Sequence, residues 1–218
     1  MKRLFPLIIL LIAGCASVET PAWTFASFNH LENYKQNFLI GKNDLADFHF
    51  QKAQEEIKKS GDIDILAKAF LTRSALLVAV LEAIPDQEYP RLADIRPMPE
   101  NQHYFLFLQG SFPLVDGALI PEQYRDTLQA IRKGDLREIG AALAKIENPL
   151  SGLVATGVVV AAGYQDEYIL QNAIDTASKN GWKRALLAYL RTIMTFYEKN
   201  AEVEKAARIR KVMELIKS

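Results

Sequence analysis

The chain has 218 residues, 50% hydrophobic and 24% charged, so it is long and apolar enough to bury a sizeable core and is not disordered by composition. Its 26 basic side chains balance 26 acidic ones without a run of Lys or Arg, and no nucleic-acid partner is expected. Cys15 is the single cysteine, which excludes a disulfide framework and any cysteine-based metal site further along.

Residues 1–15 read MKRLFPLIILLIAGC. Lys2 and Arg3 open the segment, an apolar run from Leu4 to Ile12 follows, and Ala13 and Gly14 precede the thiol. A positive start, a short apolar stretch and a small-residue cleavage site are the order of a secretory signal peptide. The run is about a dozen residues at most, short of the roughly 17–25 that a spanning helix needs.

Ile12-Ala13-Gly14-Cys15 resembles the lipobox of bacterial lipoproteins, an aliphatic residue and two small ones before a Cys. The resemblance implies that residues 1–14 are removed and that Cys15 is acylated on sulfur, leaving residues 15–24 as a lipidated tether. An ordinary signal peptide cleaved nearby, with Cys15 incidental, is the alternative. Each buried methylene contributes about 0.8 kcal/mol, so two or more acyl chains anchor stably where one is marginal. In that family an Asp after the Cys commonly marks inner-membrane retention. Ala16 stands there, which implies the outer membrane and a domain facing the periplasm.

Beyond the tether the sequence reads as helices. Phe28, Leu31, Tyr34, Phe38 and Leu39 recur at steps of three and four, predicting a helix over residues 25–38 with an aromatic face. A second is expected over 44–59, with Leu45, Phe48, Ala53 and Ile57 inward and Asn43 or Asp44 as its cap. Gly61 suits the left-handed position after a helix end, and Asp62 suits the next N-cap. Residues 63–84 carry apolar side chains on most faces, which predicts a helix packed on several sides, at roughly 1.5–3 kcal/mol per buried large side chain.

Residues 85–120 contain prolines at 85, 90, 97, 99 and 113, which forbid long helices there. This segment links the N-terminal helices, residues 25–84, to C-terminal hairpins over residues 121–218. Within it Tyr104, Phe105, Phe107 and Phe112 are candidate partner-binding residues, if exposed. After Pro121, Asp135 with Glu138 resembles a capping pair. Residues 150–164, LSGLVATGVVVAAGY, predict a central helix whose small residues let its neighbours approach closely. Amphipathic helices then follow over 166–179, with Tyr168, Ile169, Ala173, Ile174 and Ala177 inward, and over 182–199. The last, over 201–217, carries Val203, Ala206, Ala207, Ile209, Arg210, Val212, Met213 and Ile216.

The implied fold is all-α: stacked antiparallel helical hairpins, α-solenoid-like or an irregular helical array. Trp182, Ala185 and Tyr189 sit where tetratricopeptide repeats carry Trp, Leu and Tyr, so this hairpin weakly resembles that family. The pattern departs at Leu186 and Glu198, where the repeat has small residues.

No catalytic motif is present, and no metal or cofactor is expected. His30, His49 and His103 show no paired metal-ligand spacing in the sequence. Asp86, Glu88, Asp94, Glu100 and Asp116 are the acids available to a cell-wall hydrolase, but nothing marks a pair for glycoside chemistry. Two functions follow: a lipid-anchored module that binds an envelope protein, or a helical peptidoglycan hydrolase.

Overall fold

A computed structural model describes residues 21–85 and 87–217. The leader, Cys15 and Asp86 lie outside the described residues. The described residues form eleven α-helices and no strand. These are α1 (Ala22–Ile40), α2 (Asn43–Lys58), α3 (Ile63–Ala79), α4 (Glu88–Ile95), α5 (Pro99–Leu108) and α6 (Arg125–Lys133). The remainder are α7 (Leu136–Ala144), α8 (Pro149–Ala161), α9 (Glu167–Lys179), α10 (Lys183–Lys199) and α11 (Val203–Lys217).

Short turns fold consecutive helices onto each other, as in α1–α2, α6–α7, α9–α10 and α10–α11. Two long-range contacts close the array: α3 packs on α8, and α1 packs on α10. One core cluster runs from Tyr34 to Met213, so the N- and C-terminal helices share a single interior.

Local chemistry sets the helix starts. The Asp62 carboxylate accepts hydrogen bonds from the backbone N–H groups of Asp64 and Ile65, and Gly61 adopts φ +70° before it. Asp135, Asn148 and Asp166 cap α7, α8 and α9 in the same way. Glu138 does not complete a capping box: its carboxylate accepts from Lys133 at 2.7 Å. Asn43 does not cap α2 either. It is the first helical residue, and its side-chain oxygen accepts from Arg184.

α8 is the central helix. Leu153, Val154, Ala155, Val158 and Val159 are buried on several sides of it. At Gly157 a Cβ would fall 2.1 Å from the Val78 carbonyl oxygen, so only glycine allows α3 this close. From the other side the buried Tyr189 hydroxyl donates to the Leu153 carbonyl at 3.2 Å.

The structure corrects several inward assignments. α3 stops at Ala79, well short of residue 84, because Leu81 enters the left-handed region at φ 59°. The Glu82 N–H then bonds to the Leu77 carbonyl at 2.8 Å, a Schellman closure built without glycine. On α2 the inner face is Ala46, Phe50, Ala53 and Ile57, while Leu45 and Phe48 are exposed. At about 100° per residue Phe50, Ala53 and Ile57 fall within about 40° of Ala46, whereas Leu45 and Phe48 fall about 100° or more away. Tyr168, expected inward on α9, is exposed, as are Phe28 on α1 and Val203 and Val212 on α11.

Candidate functional site

The prolines shape the linking segment without abolishing its helices. Pro99 occupies the first turn of α5, where its missing N–H is no loss, and Pro90 lies in the first turn of α4. The run from Tyr104 to Leu108 is therefore helical, and it directs its rings in different directions.

Phe105 packs against Tyr89 at 4.7 Å between centroids, in a small cluster with Ala67 and Leu71. Phe107 is fully buried and stacks on Tyr124 at 5.3 Å. These two residues are core, because α5 must cover α3, and neither can meet a partner. Phe112 is half-buried against Phe107. Tyr104 is half-buried too, with its ring stacked on Tyr124 at 5.7 Å and 11°.

Tyr104 and Tyr124 form one wall of a cleft of about 650 Å³. Lys35 and Leu39 of α1, Lys68 and Thr72 of α3, and Asn148 and Ser151 at the start of α8 supply the rest, with Trp182 at its edge. The cleft thus gathers three aromatic rings, two ammonium groups, the Glu32 carboxylate and several amides and hydroxyls. Burial pushes the Tyr104 phenol well above its ordinary range and raises that of Tyr124. Both are neutral hydrogen-bonding groups at any physiological pH.

The charges of the cleft are compensated locally. Lys35 pairs with Glu32 on the same helix. Lys68 donates to Asp64 at 2.8 Å, and the amide of the buried Asn101 donates to the other Asp64 oxygen at 2.9 Å. The bonds from Lys68 and Asn101 hold the Asp64 carboxyl below its usual range.

The linking-segment acids are dispersed. Glu88 pairs with Arg73 at 2.8 Å, and Asp94 and Glu100 are exposed. Asp116 is exposed as well. Its backbone N–H donates to His103 Nδ1 at 2.8 Å, which makes His103 the anchor of this loop. Of the described acids, none of Glu88, Asp94, Glu100 and Asp116 lines the cleft of Tyr104 and Tyr124.

One cluster escaped the sequence reading. His30 on α1 and His49 on α2 bring their Nδ1 atoms to 2.9 Å, so one ring donates to the other. Partial burial, and then the neighbouring His30, lower the His49 pKa. The two lie 19 positions apart, on opposite arms of a hairpin, and only the register of that hairpin could have joined them. Among the described residues no group of three or more His, Cys, Asp or Glu is placed to hold a metal ion. No described helix is long and apolar enough to cross a membrane.

No protein-family model, no curated protein and no solved structure matches this chain.

Proposed function

We propose that this chain is a bacterial lipoprotein, anchored through acylated Cys15 at the periplasmic face of the outer membrane, whose helical domain binds another envelope protein. The observation that carries the reading is Ile12-Ala13-Gly14-Cys15, which places the sole cysteine at the end of a basic and then apolar leader. The cleft bounded by Tyr104, Tyr124 and Trp182 supports the binding role. It combines aromatic surface with a few polar groups, as recognition sites do.

The hydrolase reading gains no support. The cleft carboxylate Glu32 is already paired with Lys35, and none of Glu88, Asp94, Glu100 and Asp116 lines that cleft. The test is co-purification from cross-linked membranes, comparing the native protein with Cys15→Ala and with Thr72→Trp, which fills the cleft. A discrete partner lost in both variants is the expected result. A partner retained by both rejects the tethered-module reading.

A further inference from the structure

The first two turns of α1 present an aromatic, uncharged surface where the chain enters the fold. Residues 21–31 contain no Asp, Glu, Lys or Arg. Phe25 is 69% exposed and Phe28 59%, and Trp23 is half-buried. Phe25 and Phe28 stand three residues apart, so they neighbour each other on the helix. Ser27, Tyr34 and Phe38 carry the buried face of α1, and neither exposed ring belongs to it.

Distance decides what covers these rings. A fully extended chain advances at most about 3.6 Å per residue, so the seven steps from Cys15 to Ala22 span no more than about 25 Å. Phe25 follows within a single turn. An acylated Cys15 therefore keeps this aromatic surface within reach of a bilayer, at an effective concentration on the order of millimolar. Aromatic rings favour the boundary between headgroups and acyl chains, and an uncharged backbone segment enters it without desolvating a charge.

We propose that Trp23, Phe25 and Phe28 insert into the interfacial layer of the membrane that anchors Cys15. This rests on the lipoprotein reading above and adds a second point of attachment. Two attachments fix orientation, where a lipid chain alone leaves the domain free to swing. α1 then rises from the headgroups, and Lys35 and Leu39 bring the cleft about 15–21 Å further along its axis than Phe25.

The test uses the full chain, produced with its leader, purified in its processed form and reconstituted into phosphatidylcholine vesicles. Half of the vesicles carry brominated acyl chains, which quench nearby indoles. Trp23 and Trp182 are the two tryptophans, so Trp23→Phe and Trp182→Phe variants separate their signals. Quenching of Trp23 by roughly twofold, with Trp182 unaffected, is the expected result. The Phe25→Ser/Phe28→Ser variant should abolish that quenching while the protein stays on the vesicles and keeps its helical circular dichroism.

Intact mass of the same sample separates the two readings. Acylated Cys15 with unquenched Trp23 overturns the insertion and leaves the anchor standing. Unmodified Cys15 overturns both. Unquenched Trp23 whose emission shifts with protein concentration in detergent assigns the rings to a second copy, and likewise overturns the insertion.

Discussion

Arg184, in the first turn of α10, grips Glu82 with two hydrogen bonds of 2.8 and 2.6 Å, across 102 residues of sequence. Its third nitrogen, Nη1, donates to the Asn43 side-chain oxygen at 2.8 Å, and its guanidinium lies 3.9 Å over the Phe38 ring. One side chain thus joins the end of α1, the start of α2 and the segment after α3 to the C-terminal helices. The pair is partly solvated, so its worth is far below its value in a dry interior. Arg184→Ala should lower unfolding free energy by about 1–2 kcal/mol in denaturant titrations. Arg184→Lys should restore less than half of that, because an ammonium can neither fork onto Glu82 nor lie flat on Phe38.

α8 contains a paired test of close packing. Gly157→Ala would place a methyl 2.1 Å from the Val78 carbonyl oxygen, against backbone that cannot turn aside. It should destabilise by about 3 kcal/mol. Gly152, on the same helix, has nothing within 4 Å of an added Cβ. Gly152→Ala should be neutral or stabilise by up to about 1 kcal/mol, through helix propensity alone. Equal effects of the two substitutions would mean that α3 and α8 do not meet at Gly157.

Ala201 adopts φ 59° after α10, with the Glu202 N–H bonded to the Tyr197 carbonyl at 2.9 Å. It is exposed, so no packing is lost on substitution. Ala201→Gly relieves a left-handed strain of about 1–2 kcal/mol, partly offset by the greater freedom of glycine in the unfolded chain. A rise in melting temperature of a few degrees is expected. The same change at Leu81 should not help, since that side chain packs against the core.

The His30–His49 pair gives a pH dependence whose sign is fixed. His49 has a lowered pKa in the fold, so the folded state takes up its proton later than the unfolded chain does. Its contribution to stability is complete above the unfolded value, about 6.5, and declines as pH falls from there through the lower folded value. His49→Gln should flatten unfolding free energy over about pH 5–7 relative to the native chain. An unchanged slope in that window would mean that the fold does not lower the His49 pKa.

Much of the helix pattern was legible because punctuation is local. Gly61-Asp62 marks both the end of α2 and the start of α3. The small residues of 150–164 announced close packing, though not that Gly157 meets Val78. What stayed hidden depends on neighbours distant in sequence. α3 ends at a leucine in a glycine conformation, which no local signal betrays. With Ala53 and Ile57 inward, the four-and-three spacing selects Ala46 and Phe50, and the larger Leu45 and Phe48 fall off that stripe, so this part was legible from period and was hidden only by side-chain size. Arg184 with Glu82, His30 with His49, and Tyr104 with Tyr124 are all joined by tertiary register. The cleft was illegible for the same reason: its walls come from α1, α3, α5 and α8.

The lipid anchor is tested most directly by the intact mass of the native protein extracted from membranes. The expected species begins at Cys15 and carries a diacylglyceryl group on the Cys15 sulfur. A chain that keeps residues 1–14, or is cleaved elsewhere with an unmodified thiol, would contradict it.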